Sequence, residues 1–126
     1  TNNYHWISYI EDMSKVLPAV DLVITRAGAG MCVQCTLSEV PAIFVPLPVG
    51  NGEQGKNADP IVRAGAALIV EDDVNLNQNL RRALNEIDVV AMKNNFKNVP
   101  DFLKKSDGAN RFAKIIQHKL GANESI

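Results

Sequence analysis

The chain has 126 residues, of which 46% are hydrophobic and 21% charged, and a formal net charge of −1. This is ordinary material for one globular domain, and it excludes the strongly basic footprint of a typical nucleic-acid binder. The longest apolar runs have strand length, far below the roughly 20 residues that a membrane helix needs, and the N-terminal residues do not read as a signal peptide.

In chain order, "HWISYI" (His5–Ile10) is a short candidate strand, and Asp12 to Val20 has helix length with Asp12 near its start. "DLVIT" (Asp21–Thr25) is a β-branched run. It leads through "TRAGAG" into a predicted helix over Gly30–Glu39. "AIFVPL" (Ala42–Leu47) is the next strand, followed by a glycine-rich turn and a helix within Glu53–Gly65. Gly65 suits a C-cap, and Pro60 implies a kink or a helix that begins near Ala58. "AALIV" (Ala66–Val70) is another strand. These runs are apolar almost throughout, as in strands covered on both faces. Beyond them, Asn75–Ile87 reads as a helix capped by Asn75 or Asn77, "DVVAMKNNFKNV" as another, and "GANRFAKIIQHKL" as a third, capped by Asp107.

Strand and helix alternate at about 20 to 25 residues per unit, which predicts βαβ crossovers and a parallel sheet. The expected fold is α/β, a single domain over residues 1–126: a partial Rossmann-like parallel sheet with flanking helices and a helical C-terminal trailer. A complete doubly wound sheet has about five or six strands, so this chain reads as roughly half of one.

Cys32 and Cys35 form one Cys-x-x-Cys pair. It can be a redox pair near a helix start, or two small apolar side chains packed inside a helix; the second is the expectation. Zinc would need two more ligands, and His5 and His118 lie far off in sequence, so no metal and no cofactor are expected. Free thiols suit a cytoplasmic location.

Ligands of open parallel sheets bind beyond the carboxyl ends of the strands, and two glycine-rich connections fall there. In the first, Gly28 and Gly30 either admit a ligand to the backbone N–H groups of a helix N-terminus, a place suited to a diphosphate, or only turn the chain. In the second, Gly50-Asn51-Gly52 makes a tight turn before Glu53, Gln54 and Asn57. Those side chains are equipped either to grip sugar hydroxyls or to cap the helix they open.

"RAGA" (Arg26–Ala29), "PAIFVPLPVGNGEQGKNA" (Pro41–Ala58) and "AGAALIV" (Ala64–Val70), with "YIEDM" (Tyr9–Met13) upstream, together resemble the C-terminal domain of the MurG family. The likeness spans Ile7 to Val74, and the "GNGEQxxNA" element is similar to that of actinobacterial members. The resemblance implies the donor-binding domain of an inverting, metal-independent GT-B glycosyltransferase that moves GlcNAc from UDP-GlcNAc onto lipid I, giving lipid II for peptidoglycan. It implies work at the cytoplasmic face of the membrane, with peripheral membrane contact and the lipid-linked acceptor both belonging to an N-terminal domain. By the same resemblance, the Ile10 backbone reads uracil, with Tyr9 beside it. Ala29 and Gly30 face the sugar diphosphate, and Gln34 stands where a glutamate accepts from the ribose hydroxyls. Glu53, Gln54 and Asn57 grip GlcNAc.

Three residues of one helix depart from the family pattern: Met31 in place of threonine, Gln34 in place of glutamate, and Glu39 in place of a helix-ending glycine. The family's "GGSxGA" loop and N-terminal domain are not found in the sequence, and no residue is singled out as a catalytic base. The chain is therefore expected to be part of a transferase and inactive alone. Two other readings stand beside this one: the small donor-binding subunit of a two-chain GlcNAc transferase, and a non-catalytic module that self-associates through an exposed strand edge and apolar face.

Overall fold

The structure, a computed structural model, describes residues 4–8, 10–48, 50 and 52–101. The apolar runs after residue 20 form three strands: β1 (Val23–Thr25), β2 (Ala42–Phe44) and β3 (Ala67–Ile69). They pair in parallel in the order β1-β2-β3. Two ranks, Val23↔Ala42↔Ala67 and Thr25↔Phe44↔Ile69, face one way, and Ile24↔Ile43↔Leu68 faces the other.

Five helices complete the described residues: α1 (Met13–Val16), α2 (Ala29–Ser38), α3 (Glu53–Arg63), α4 (Leu76–Glu86) and α5 (Val89–Asn94). Short 3₁₀ turns follow α1 and α5, at Leu17–Ala19 and Asn95–Asn98. Helices α2 and α3 are the two crossovers, and right-handed connection puts both on the same face of the sheet. Cys32 and Cys35 of α2, and Ala58 and Ile61 of α3, join Ala42, Phe44 and Ala67 in one buried cluster, which Phe96 and Val99 extend.

Sequence and structure agree on the parallel α/β arrangement, and they differ in three places. Among the described residues, the His5–Ile10 run forms no strand; Trp6 and Ile7 lie exposed, with no neighbouring strand to pair with. Among the described residues, only the central strand is covered on both faces: Ile43 is buried, but Ile24 is 46% and Leu68 37% exposed. Apolar content predicted burial, but burial needs a covering layer: α2 and α3 cover one face, and among the described residues the outer strands leave Ile24 and Leu68 of the other face partly exposed. Finally, Pro60 does not delay α3, which starts at Glu53 and runs through the proline. Early turns of α3 hold contacts to other loops, described below, which favour helix on the N-terminal side of the proline. The predicted helix over 108–120 lies outside the described residues.

Helix ends follow their local chemistry. Asp12 caps α1, its side chain accepting from the Ser14 backbone N–H at 3.1 Å. The Ser14 hydroxyl also donates to Asp12, and this bond, first among the causes, holds its carboxyl below the usual range. Asp88 caps α5 by accepting from Ala91 N–H at 3.0 Å. Asn75 occupies the N-cap position of α4 without a side-chain cap bond. At the end of α2, Glu39 takes up the left-handed conformation, φ 53° and ψ 45°, at the position where the resemblance expects glycine. Its strain, about 1 kcal/mol or somewhat more, is offset by bonds that seal the helix end. Glu39 N–H reaches the Cys35 and Thr36 carbonyls, Val40 N–H reaches Cys35 O at 3.0 Å, and Lys93 Nζ donates to Glu39 O at 3.2 Å.

Candidate functional site

Three connections leave the carboxyl ends of β1, β2 and β3, and side chains tie them to one another. The connection after β1 is Arg26-Ala27-Gly28, and the one after β2 runs from Val45 to Gly52. Gln54 sits in the first turn of α3, yet it does not cap that helix. Its Oε1 accepts from Ala27 N–H at 3.2 Å and from Leu47 N–H at 2.9 Å, one donor from each connection. One turn on, Asn57 Nδ2 donates to Ala27 O at 3.2 Å. Spacing of three places Gln54 and Asn57 on one face of α3, so both reach the same residue of the neighbouring loop. Ala27 itself is fully buried. The two glycine connections therefore lie side by side at the same edge of the sheet. Of the alternatives left open for Gln54 and Asn57, capping of their own helix does not occur.

Arg26 draws in the third connection. Its Nη1 lies 2.7 Å from Asp72 Oδ2 and donates to Val45 O at 3.3 Å. A half-exposed ion pair contributes little stability. Its effect here is geometric, since it pins the ends of β1 and β2 to the chain beyond β3. The sequence reading did not single out this pair. The partners are 46 residues apart, and the only available signal was a charged residue at the end of each strand run.

Gly28 is the N-cap of α2, with φ −62° and ψ 151°, an extended conformation that any residue adopts. A Cβ added there meets nothing within 4 Å among the described residues. The fold does not require glycine at this position, so its simple turn-making explanation loses its physical basis. What the glycine leaves is open space before the first turn of α2. There the N–H groups of Ala29, Gly30 and Met31 point out without intrahelical acceptors, and Ala29 and Gly30 are half-buried. A cavity of about 240 Å³ between α2 and α3 is lined by Ala29, Cys32, Lys56 and Asn57, among others.

The remaining site candidates are placed as follows. Glu53 is exposed in the first turn of α3, and Ile10 is half-buried in an irregular segment before α1. Gln34 lies in α2, and its Oε1 is buried with no hydrogen-bond partner among the described residues. A buried acceptor without a donor is unfavourable by about 1–3 kcal/mol. Met31 packs against the core cluster, which explains an apolar side chain there. A roomier groove of about 650 Å³ lies elsewhere, between the end of β3 and helices α4 and α5. It holds none of the sequence-derived candidates. The strand-end location is preferred because backbone donors and amide side chains converge there.

Cys32 and Cys35 are buried free thiols one turn apart in α2. Burial pushes Cys32 up to about 11 and Cys35 to about 12, the latter helped by its neighbour. Such thiols stay protonated and inert at neutral pH, which agrees with the packing reading and not with a redox pair. Iodoacetamide at pH 7.5 is expected to label neither cysteine in the native protein and both in urea. Because folding raises these values above the ordinary 9.0, the stability linked to the neutral thiols is fully present below about pH 9. It is lost as pH rises through 11 and 12. Urea midpoints recorded across that range check the sign.

Residues 1–118 match the family model described as the glycosyltransferase family 28 C-terminal domain. A transferase of Clavibacter michiganensis, named UDP-N-acetylglucosamine–N-acetylmuramyl-(pentapeptide) pyrophosphoryl-undecaprenol N-acetylglucosamine transferase, is 35% identical over 123 residues, 97% of this chain and 34% of that protein. Proteins of the same name from Paenarthrobacter aurescens and Corynebacterium diphtheriae are 46% and 52% identical over 71 and 66 residues, covering 56% and 52% of this chain and 19% and 18% of theirs. The crystal structure of Acinetobacter baumannii MurG superposes with a TM-score of 0.63 at 26% identity, over 89% of this chain and 34% of that one. The chain thus spans about a third or less of the length of these relatives.

Proposed function

This chain belongs to the family of glycosyltransferase family 28 C-terminal domains, and from that premise we propose that it is the UDP-GlcNAc-binding part of an inverting hexosyltransferase that makes lipid II from lipid I. The observation that carries the reading is the double bond of Gln54 Oε1 to Ala27 and Leu47, which sets the two glycine connections against each other at the carboxyl edge. The first-turn N–H groups of α2 then face the diphosphate, with the positive end of the helix dipole behind them. The Gln34 Oε1, buried without a donor among the described residues, takes a ribose hydroxyl as its donor. Glu53 and the free atoms of Gln54 and Asn57 meet the sugar, and the Ile10 backbone meets the base. The acceptor, the membrane contact on the cytoplasmic face and the catalytic base belong to the rest of a larger transferase.

Titration calorimetry tests this directly. UDP and UDP-GlcNAc are expected to bind with millimolar or tighter dissociation constants, and the chain alone is expected to transfer no GlcNAc to a lipid I analogue. Absence of nucleotide binding would remove the donor-site reading, and turnover by the chain alone would remove the claim that it is a part.

A second reading, self-association, rests on the partly exposed side chains of Ile24 and Leu68 on the outer strands. Light scattering is expected to give the mass of a dimer, and Leu68→Lys that of a monomer. A wild-type monomer at high micromolar concentration counts against it.

A further inference from the structure

We propose that Gln54 is a positioning residue: it sets the spacing between the two glycine connections through its carbonyl oxygen, and it can meet a sugar only as a hydrogen-bond donor. The proposal rests on the donor-site reading for its functional consequence and on hydrogen-bond geometry for its structural one.

An amide oxygen has two lone pairs. Gln54 Oε1 spends both on backbone, at 3.2 Å to Ala27 N–H and 2.9 Å to Leu47 N–H. The orientation of the amide follows from those partners. Turning it over would set Nε2 hydrogens against two N–H donors. The outward-facing atom is therefore Nε2, a pure donor. Asn57 completes the hold on Ala27 from the other side, through Ala27 O at 3.2 Å. Two side chains on one face of α3 thus fix the residue immediately before Gly28. The position of the α2 N-terminus relative to α3 depends on them, although neither touches α2 through these bonds.

A residue that only grips the sugar affects UDP-GlcNAc and leaves UDP untouched. A residue that sets the loop geometry affects both. Gln54→Met keeps the length of the side chain and removes the oxygen; Gln54→Glu keeps an acceptor oxygen and removes the amide donors. The experiment follows backbone amide exchange by NMR in the wild type and both variants, with UDP titrated by calorimetry into the wild type and Gln54→Met.

Ala27 and Leu47 amides are expected to be protected in the wild type and in Gln54→Glu, and to exchange about tenfold faster or more in Gln54→Met. Core amides such as Val45 and Val70, bonded to Thr25 O and Phe44 O, are expected to keep their rates, which separates a local loosening from general unfolding. UDP affinity is expected to fall about tenfold in Gln54→Met. Unchanged Ala27 and Leu47 exchange in Gln54→Met overturns the proposal, as does unchanged UDP affinity when the wild type binds UDP. If the wild type binds no UDP, the donor-site reading fails and the amide rates alone decide whether the tie exists.

Discussion

Phe44→Ala is expected to destabilise the protein by about 3–5 kcal/mol, the range for truncating a buried aromatic side chain. Phe44 is fully buried in the central strand and packs in the cluster that joins the sheet to α2 and α3. Both neighbours of β2 are bonded around it: Val45 N–H reaches Thr25 O at 2.8 Å and Val70 N–H reaches Phe44 O at 3.0 Å. The lost aromatic volume lies between three rigid elements and has little scope to close. Small domains have about 5–15 kcal/mol of stability in total, so the variant is expected to be largely unfolded at moderate urea. Leu68→Ala is the control. Its side chain is on the opposite, partly bare face, and its truncation is expected to cost about 1 kcal/mol or less. Urea unfolding followed by circular dichroism reads both, and equal midpoints for the two variants would contradict the difference in burial between Phe44 and Leu68.

Gly65→Val is expected to cost about 3 kcal/mol or more, for reasons of backbone and space together. Gly65 has φ +84° and follows the end of α3. Its N–H reaches Val62 O at 3.0 Å, and Ala66 N–H reaches Ile61 O at 3.1 Å, the paired bonds of a glycine-terminated helix. A β-branched residue is a steric outlier in that conformation. A Cβ there would also lie 2.7 Å from Asn95 Nδ2, and Asn95 cannot swing away freely because Nδ2 donates to Gly65 O at 3.0 Å. The milder Gly65→Ala separates the two contributions. Made in an Asn95→Ala background, it is expected to be less damaging by about 1 kcal/mol, because the contact is gone and the backbone strain stays. A full penalty in both backgrounds would show that strain alone is at work.

The two glycines read from the sequence thus differ in kind. Gly65 is required by φ and by Asn95, as its place after a helical run suggested. Gly28 is required by neither, which no one-dimensional pattern could show. A similar division runs through the polar residues. Glu53, Gln54 and Asn57 were visible as an amide and acid cluster after a tight turn, but the cluster was equally compatible with capping. What distinguishes the two is a bond from Gln54 to Ala27 across 27 residues. Arg26 and Asp72, further apart still, offered only a charged residue at the end of each strand run.

By itself the sequence determined the parallel α/β arrangement, the helical connections and the family. Those depend on short-range periodicity, glycine and proline placement, and a run of motif residues, all written along the chain. The tertiary structure alone decided which strand residues are covered, that the described part of His5–Ile10 forms no strand, and that the Gln54 oxygen is already engaged by two loops. Each of these is a relation between segments distant in sequence. Its energy comes from what a side chain meets after folding, and residue type does not specify that partner.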